Sequence, residues 1–231
     1  ELYLGMLYVC ALPATVQSAI AFTSLARGNI PAAVCSAAAS SLIGIFLTPL
    51  LVLLLMGAQG EGGSTLDAIG KIVVQLLLPF IAGQIARRWI GDWVARNKGW
   101  LKNVDQSSIL LVVYVAFSEA VVQGIWHQVG WYDLASIVLL SCVLLALVLG
   151  WNVWISRRLG FDKADEITIV FCGSKKSLAN GVPMANVMFP AASVGVMVLP
   201  LMIFHQIQLM VCAVLARRYR EQEALPQVQE G

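Results

Sequence analysis

Apolar residues in this chain run in long blocks, not in the alternating or one-sided patterns of a soluble fold. Seven blocks stand out, at residues 2–26, 30–56, 68–87, 107–126, 133–155, 164–189 and 191–216. A helix of about 20 apolar residues crosses the ~30 Å hydrocarbon layer of a bilayer, and every block is long enough. The pattern therefore predicts an all-α polytopic membrane protein with seven transmembrane helices. Five blocks read as plain apolar helices. The blocks at 2–26 and 164–189 are interrupted by proline, glycine and polar residues, which predicts two broken helices.

The polar positions between blocks are sided. Basic residues gather at Arg27, at Arg87, Arg88, Arg96, Lys98 and Lys102, at Arg157, Arg158 and Lys163, and at Arg217, Arg218 and Arg220. The stretches 57–67 and 127–130 and the bend at Pro190 hold no Lys or Arg. Cytoplasmic loops carry an excess of both, so this alternation is what a chain crossing at every block produces. It puts the carboxyl terminus in the cytoplasm and Glu1 on the far side. Trp89, Trp93, Trp100, Trp126 and Trp131 fall at block ends, where indole rings favour the interface, and segment 88–105 is expected to lie along the cytoplasmic surface. Four parts follow: a core pair of helices at 1–56, two panel-type helices joined by the basic segment at 57–130, the second set of core helices at 131–217, and a cytoplasmic tail at 218–231.

Composition agrees and excludes other classes. The 231 residues are 59% hydrophobic and 12% charged, with mean hydropathy +0.80, against about 45–50% and roughly 25% in soluble domains. Too few polar residues exist to face water on all sides, so lipid must cover the exterior. A formal net charge of +2 offers no basic field for nucleic acid. Cys10, Cys35, Cys142, Cys172 and Cys212 sit inside apolar blocks with no metal-ligand spacing, and read as free thiols. Glu1 leads straight into apolar residues with neither an initiator methionine nor a basic leader, so the chain is expected to begin partway through a longer protein. No phosphate-binding glycine loop, dinucleotide fingerprint, metalloprotease motif or nucleophile elbow occurs, and His127 and His205 are too few and too separated for a metal site. Neither an enzyme nor a resident cofactor is expected.

The interruptions carry the functional signal. In the first, Pro13 removes a backbone donor within Cys10-Ala-Leu-Pro13-Ala-Thr15-Val-Gln17-Ser18, so the helix should kink or break there. The second, Cys172-Gly173-Ser174-Lys175-Lys176-Ser177-Leu-Ala-Asn180-Gly181-Val-Pro183, places two lysines, two glycines and a proline within a span. Freed backbone groups at bilayer depth need side chains, water or a ligand, and paired interruptions of this kind mark a midplane site in transporters. The two regions also align. Asn29-Ile30-Pro31-Ala-Ala matches Met188-Phe189-Pro190-Ala-Ala, each opening an apolar block with a further proline (Pro49, Pro200). By the charge pattern the two halves run in opposite directions, as in an inverted-topology repeat.

Leu12-Pro13-Ala14-Thr15-Val16-Gln17-Ser18, Leu25-Ala26-Arg27-Gly28-Asn29 and Phe171-Cys172-Gly173-Ser174-Lys175-Lys176-Ser177-Leu178-Ala179-Asn180-Gly181 resemble the bile acid:sodium symporter superfamily. The match is to its bacterial inner-membrane branch, related to an orphan vertebrate member of solute carrier family 10, and it covers essentially the whole chain. The resemblance implies ten helices in two inverted halves, with helices four and nine broken and crossing beside the ion and substrate sites. This chain would be helices four to ten, an inverted-repeat transporter fold lacking its first three helices, in the bacterial inner (plasma) membrane. The resemblance also implies a sodium ion, but its ligand pattern is altered here. A Ser-Asn pair falls at Gln17-Ser18, a glutamate and glutamine fall within Ser174-Lys175-Lys176-Ser177, and a hydroxyl pair falls near Ala33 and Ala37, with Ser36 the nearest hydroxyl. Lysines in place of a carboxylate withdraw the negative charge that would offset a buried cation.

Candidate substrate- and ion-binding residues are Thr15, Gln17, Ser18, Ser174, Lys175, Lys176, Ser177, Asn180, Glu119 and His205. An ionisable group at bilayer depth costs at least about 2.5–3.5 kcal/mol, so each one needs a reason to be there. A lysine ammonium could replace sodium at the crossing and exchange a proton, or the pair could attract an anionic solute. The alternatives are snorkelling to the interface and pairing with Asp165, Glu166 or Glu119. Glu119 suits a lysine partner, a proton carrier or a hydrogen-bonded neutral carboxyl. His205 shares a helix face with Gln208 and suits a proton relay or an interhelical hydrogen bond. The expected function is secondary active transport of a small solute, an organic anion, by alternating access, coupled to sodium or to protons. The competing reading is a regulatory membrane protein that keeps the fold without transport. Expected partners are membrane lipid and the solute, not nucleic acid.

Overall fold

A computed structural model describes residues 2–56, 65–122, 124 and 130–224. All regular structure among them is α-helical: α1 Leu2–Ala11, α2 Val16–Leu25, α3 Ile30–Met56, α4 Thr65–Arg96, α5 Lys98–Val122, α6 Trp131–Arg158, α7 Lys163–Ser174, α8 Leu178–Met188 and α9 Ala191–Ala224. Three helices are long and apolar enough to cross a membrane, covering Ile30–Leu55, Trp131–Arg158 and Ser193–Gln222. The pair α1 and α2 qualifies as one span bent by 64°. The blocks expected at 68–87 and 107–126 lie within α4 and α5 except for the last residues of the second, which fall outside the described residues.

Both interruptions are real breaks, and local chemistry sets their positions. The residue before a proline is pushed out of the helical region, so α1 stops at Ala11 and the backbone stays extended through Thr15 (φ −80°, ψ 118°). The second break begins where Lys175 turns extended (φ −84°, ψ 142°) at the end of α7. It ends at Ser177, whose Oγ accepts the Asn180 N–H at 3.1 Å and caps α8. Pro183, part of the sequence signal for this break, instead lies inside α8. The basic segment 88–105 is helical apart from the junction at Asn97. It forms the ends of α4 and α5, which meet at Asn97, and Asn97 Nδ2 donates to the Trp93 carbonyl at 2.9 Å. Likewise α9 continues to Ala224, past the expected start of the tail at 218.

The broken helices pack against distant long helices: α1 lies along α9, and α7 lies against α3 as well as α2 and α6. Tyr8, Val9, Leu12, Leu145, Val198, Leu201 and Phe204 form the main core around α1 and α9. Small residues (Ala19, Ala33, Ala37 and Cys172) bring α2, α3 and α7 together, as expected where dispersion and close backbone approach hold helices in lipid. Large apolar side chains cover the outside, such as Leu54 on α3 and Leu147 on α6. Two glycines make the approaches possible. A Cβ on Gly5 would lie 2.7 Å from the Met197 carbonyl oxygen, and one on Gly44 would lie 2.5 Å from Pro13 Cβ.

Gly5→Ala should therefore push α1 off α9 and cost about 1–3 kcal/mol, the usual range for overpacking. Gly83→Ala on α4, where a Cβ would meet nothing within 4 Å, should instead hold or raise stability, by up to about 1 kcal/mol. Thermal denaturation of the detergent-solubilised protein compares the two.

Candidate functional site where the broken helices cross

The two extended segments run against each other and satisfy each other's backbone. Ser177 N–H donates to the Pro13 carbonyl at 3.1 Å, and Thr15 Oγ1 donates to the Lys176 carbonyl at 2.8 Å. Long helices supply the remaining partners. Thr48 Oγ1 on α3 donates to the Ala11 carbonyl at 2.8 Å, and Ala14 N–H donates to Ser40 Oγ at 3.1 Å. Gln208 on α9 accepts the Lys176 N–H at 2.8 Å through Oε1. Tyr8 OH donates to the Gly181 carbonyl at 2.6 Å. Backbone groups freed within lipid each cost several kcal/mol if left alone, and here side chains and the opposing break take up the cost.

Adjacent residues in an extended stretch point opposite ways, so the two lysines part company. Lys176 turns toward the first break, where its ammonium donates to the carbonyls of Cys10 at 2.8 Å and Leu12 at 2.9 Å. These oxygens sit at the carboxyl end of α1, which carries a partial negative charge of roughly half a unit. A cation is well placed there. Lys175 turns into the protein and is 1% exposed. Its ammonium lies 4.0 Å from the centre of the Phe22 ring and 5.8 Å from that of Phe171. It has no nitrogen or oxygen partner among the described residues, and the thiols of Cys172 and Cys212 lie nearby.

His205 and Gln208 close the site from α9. The Lys176 carbonyl lies 3.2 Å from His205 Nδ1 and 3.3 Å from Gln208 Nε2, and those two nitrogens are 3.4 Å apart. A carbonyl only accepts, so the imidazole bonds to it when the proton sits on Nδ1, and otherwise accepts from the Gln208 amide. The ring can take either role without moving.

The other candidates are placed less centrally. Ser174 Oγ donates to the Val170 carbonyl at 2.7 Å, closing the last turn of its own helix. Gln17 is exposed, and Ser18 Oγ is buried without a partner among the described residues. Asn180 contributes its backbone N–H to the Ser177 cap. The Glu119 side chain lies outside the described residues. Asp165 and Glu166 do not pair with the lysines. Asp165 accepts from Asn29 Nδ2 at 2.8 Å. Glu166, 4% exposed, accepts from Arg157 Nε at 3.0 Å, Lys163 Nζ at 2.6 Å and Tyr219 OH at 3.3 Å. Sequence reasoning missed Tyr8, Ser40 and Thr48, and gave Gln208 only a bonding role. A lone polar group in an apolar block was the available signal for each.

The contrast between the lysines is measurable. Lys176→Met leaves the buried Leu12 carbonyl and the more exposed Cys10 carbonyl without the ammonium, and should destabilise the protein by about 1–3 kcal/mol, the cost of one unsatisfied buried group. Lys175→Met removes a buried, unpartnered cation at the loss of about 1 kcal/mol of cation–π attraction, and should be neutral or stabilising. Denaturation midpoints of the two variants against the parent protein test the opposite signs.

Comparison with known proteins now places the chain. Residues 1–221 match the SBF-like CPA transporter family. The chain is 69% identical over 229 residues to the Escherichia coli (strain K12) protein named "Putative symporter YfeH", an alignment covering 99% of this chain and 69% of that protein. It is 71% identical over 219 residues to an uncharacterized protein of Pseudomonas aeruginosa, covering 95% of this chain and 66% of that one. It is 30% identical over 217 residues to Sodium/bile acid cotransporter 7 of Xenopus tropicalis, covering 91% and 62% respectively. The chain thus spans roughly two thirds of the length of these relatives. An all-helical protein with apolar spans and two broken helices bonded to each other at their breaks, it belongs to the SBF-like CPA transporter family, whose members are integral membrane transporters and not enzymes.

Proposed function

We propose that this chain is the greater part of a secondary active transporter that moves a small organic anion by alternating access, with a proton on Lys176 as the coupling ion. The observation that carries the reading is the Lys176 ammonium bonded to the Cys10 and Leu12 carbonyls at the end of α1. In transporters with broken helices, carbonyl ends of half-helices coordinate the coupling cation. Here the chain's own ammonium fills that role, which makes a sodium ion redundant. Loss of its proton leaves a neutral amine whose two N–H groups bond the Cys10 and Leu12 carbonyls without charge assistance, and the weakened joint lets α1 shift against the second break. Thr15, Ser177, His205 and Gln208 frame this switch. Lys175 contributes positive charge behind it for an anionic solute. Gln17, Ser18, Ser174, Asn180 and Glu119 are the remaining candidates for solute contact. The printed name of the frog relative supports the rival coupling ion, sodium.

The same reading takes the chain across the membrane seven times, through α1 with α2, α3, α4, α5, α6, α7 with α8, and α9. It assigns 1–56 and 131–217 to inverted core units, 57–130 to a panel, and 218–231 to the tail. The parallel builds support the repeat. Half-helices of 10 and 10 residues precede a 27-residue helix in one unit, and half-helices of 12 and 11 precede a 34-residue helix in the other. Basic residues on alternate ends support a cytoplasmic carboxyl terminus, and the bacterial relatives support the inner membrane. Because the crossing is satisfied by the chain's own groups, a non-transporting regulator is the second reading.

Uptake of labelled organic anions, bile acids among them, by proteoliposomes of the full-length protein decides between these readings. An inward proton gradient should stimulate uptake, a sodium gradient should not, and Lys176→Met should abolish the proton response. Sodium-driven uptake that survives Lys176→Met would overturn the lysine's role. Absence of uptake across the panel under either gradient would favour the regulator.

A further inference from the structure

Between α6 and α9 runs an open apolar trough of about 960 Å³, lined by residues from Leu149 to Arg158 on one helix and from Met210 to Arg218 on the other. At about 1.5 Å per residue, each wall is roughly 12–14 Å long, close to the hydrocarbon depth of a single leaflet. Val153, Trp154 and Val214 form its apolar part, and Arg157, Arg158 and Arg218 gather at one end. Arg157 is already committed to Glu166 at 3.0 Å. Arg158 and Arg218 form no ion pair with the described residues, whereas neighbouring Arg217, outside the trough, pairs with Glu221 at 3.1 Å. Two guanidinium groups with no acidic partner among the described residues thus sit at one end of an apolar slot.

We propose that this trough is a binding site for an anionic glycerophospholipid of the surrounding bilayer, with one acyl chain along Val153, Trp154 and Val214 and the phosphate between Arg158 and Arg218. Charge decides the headgroup: guanidinium forks bind phosphate oxygens in pairs, and a zwitterionic lipid brings its own cation to compete. Length decides for a lipid over a soluble anion, because a small dianion needs the arginines but not one leaflet's depth of apolar wall. The wall is also continuous with the lipid-facing exterior of α6 at Leu147 and Trp151. A lipid seated here clamps α6 to α9 beside Glu166 and Tyr219, independently of whether the protein transports.

The test uses full-length protein, delipidated in neutral detergent, with its melting temperature followed during titration. The probes are phosphatidylglycerol, phosphatidylcholine of the same acyl chains, and glycerol phosphate alone. Phosphatidylglycerol should stabilise saturably, and the other two should not. Arg158→Gln with Arg218→Gln should raise the half-saturating concentration about tenfold or more, while Arg217→Gln leaves it unchanged. Gly150→Phe fills the slot and keeps both arginines, and it should also lose the response, so the test survives if the double variant does not purify. Equal stabilisation by phosphatidylcholine, or a full response in the variant that can be purified, would overturn the site. A response to glycerol phosphate alone would assign the arginines to a soluble anion and overturn the lipid.

Discussion

A backbone amide or carbonyl in hydrocarbon has no water to bond, and this requirement governs the architecture more than any single packing contact. A continuous helix meets it internally, whereas α1 and α7 stop inside the protein and cannot. Their loose ends are satisfied only because the two breaks face each other and borrow Ser40, Thr48 and Gln208 from the long helices. Neither break is stable without its counterpart. The reciprocal packing, α1 on α9 and α7 on α3, follows from that mutual need.

The lysine pair shows how the same constraint can produce a switch. One ammonium is fully engaged with carbonyls, and the other is sealed among aromatic rings and thiols. They are neighbours in sequence but separate in role, because an extended backbone sends successive side chains to opposite sides. Bonds of the Lys176 kind are roughly twice as strong with the charge present as without it. In the proposed transport cycle this joint has two states that differ by one proton. The trough between α6 and α9 lies apart from this joint and joins an apolar wall to Arg158 and Arg218 at one end.

Much of the fold was legible from residue order, for identifiable reasons. Block length anticipated three long apolar helices and the bent pair among the described residues, and Pro13 marked the first break, which opens after Ala11. The second break was placed in the right stretch, but Pro183 was given weight that belonged to Lys175 and the Ser177 cap. Pro183 stands at the sixth position of α8, past the first turn where a proline costs nothing, and the helix runs on through it. The basic segment carries the charges and tryptophans of an interface, but nothing in that pattern marks Asn97, where α4 has ended at Arg96 and α5 begins at Lys98. At the site, the polar residues within the two breaks stood out. Tyr8, Ser40 and Thr48 did not, because one polar atom on an apolar helix gives no periodic signal, and only the fold reveals which carbonyl it meets.

The central claim is that the Lys176 ammonium is the cation at the crossing. The most direct measurement is an experimental map of the full-length protein at side-chain resolution, in sodium-containing buffer near neutral pH. The account predicts Lys176 Nζ within hydrogen-bonding distance of the Cys10 and Leu12 carbonyls, with both helices interrupted. Lys176 turned away with a metal ion between those carbonyls, or a continuous helix through either break, would contradict it.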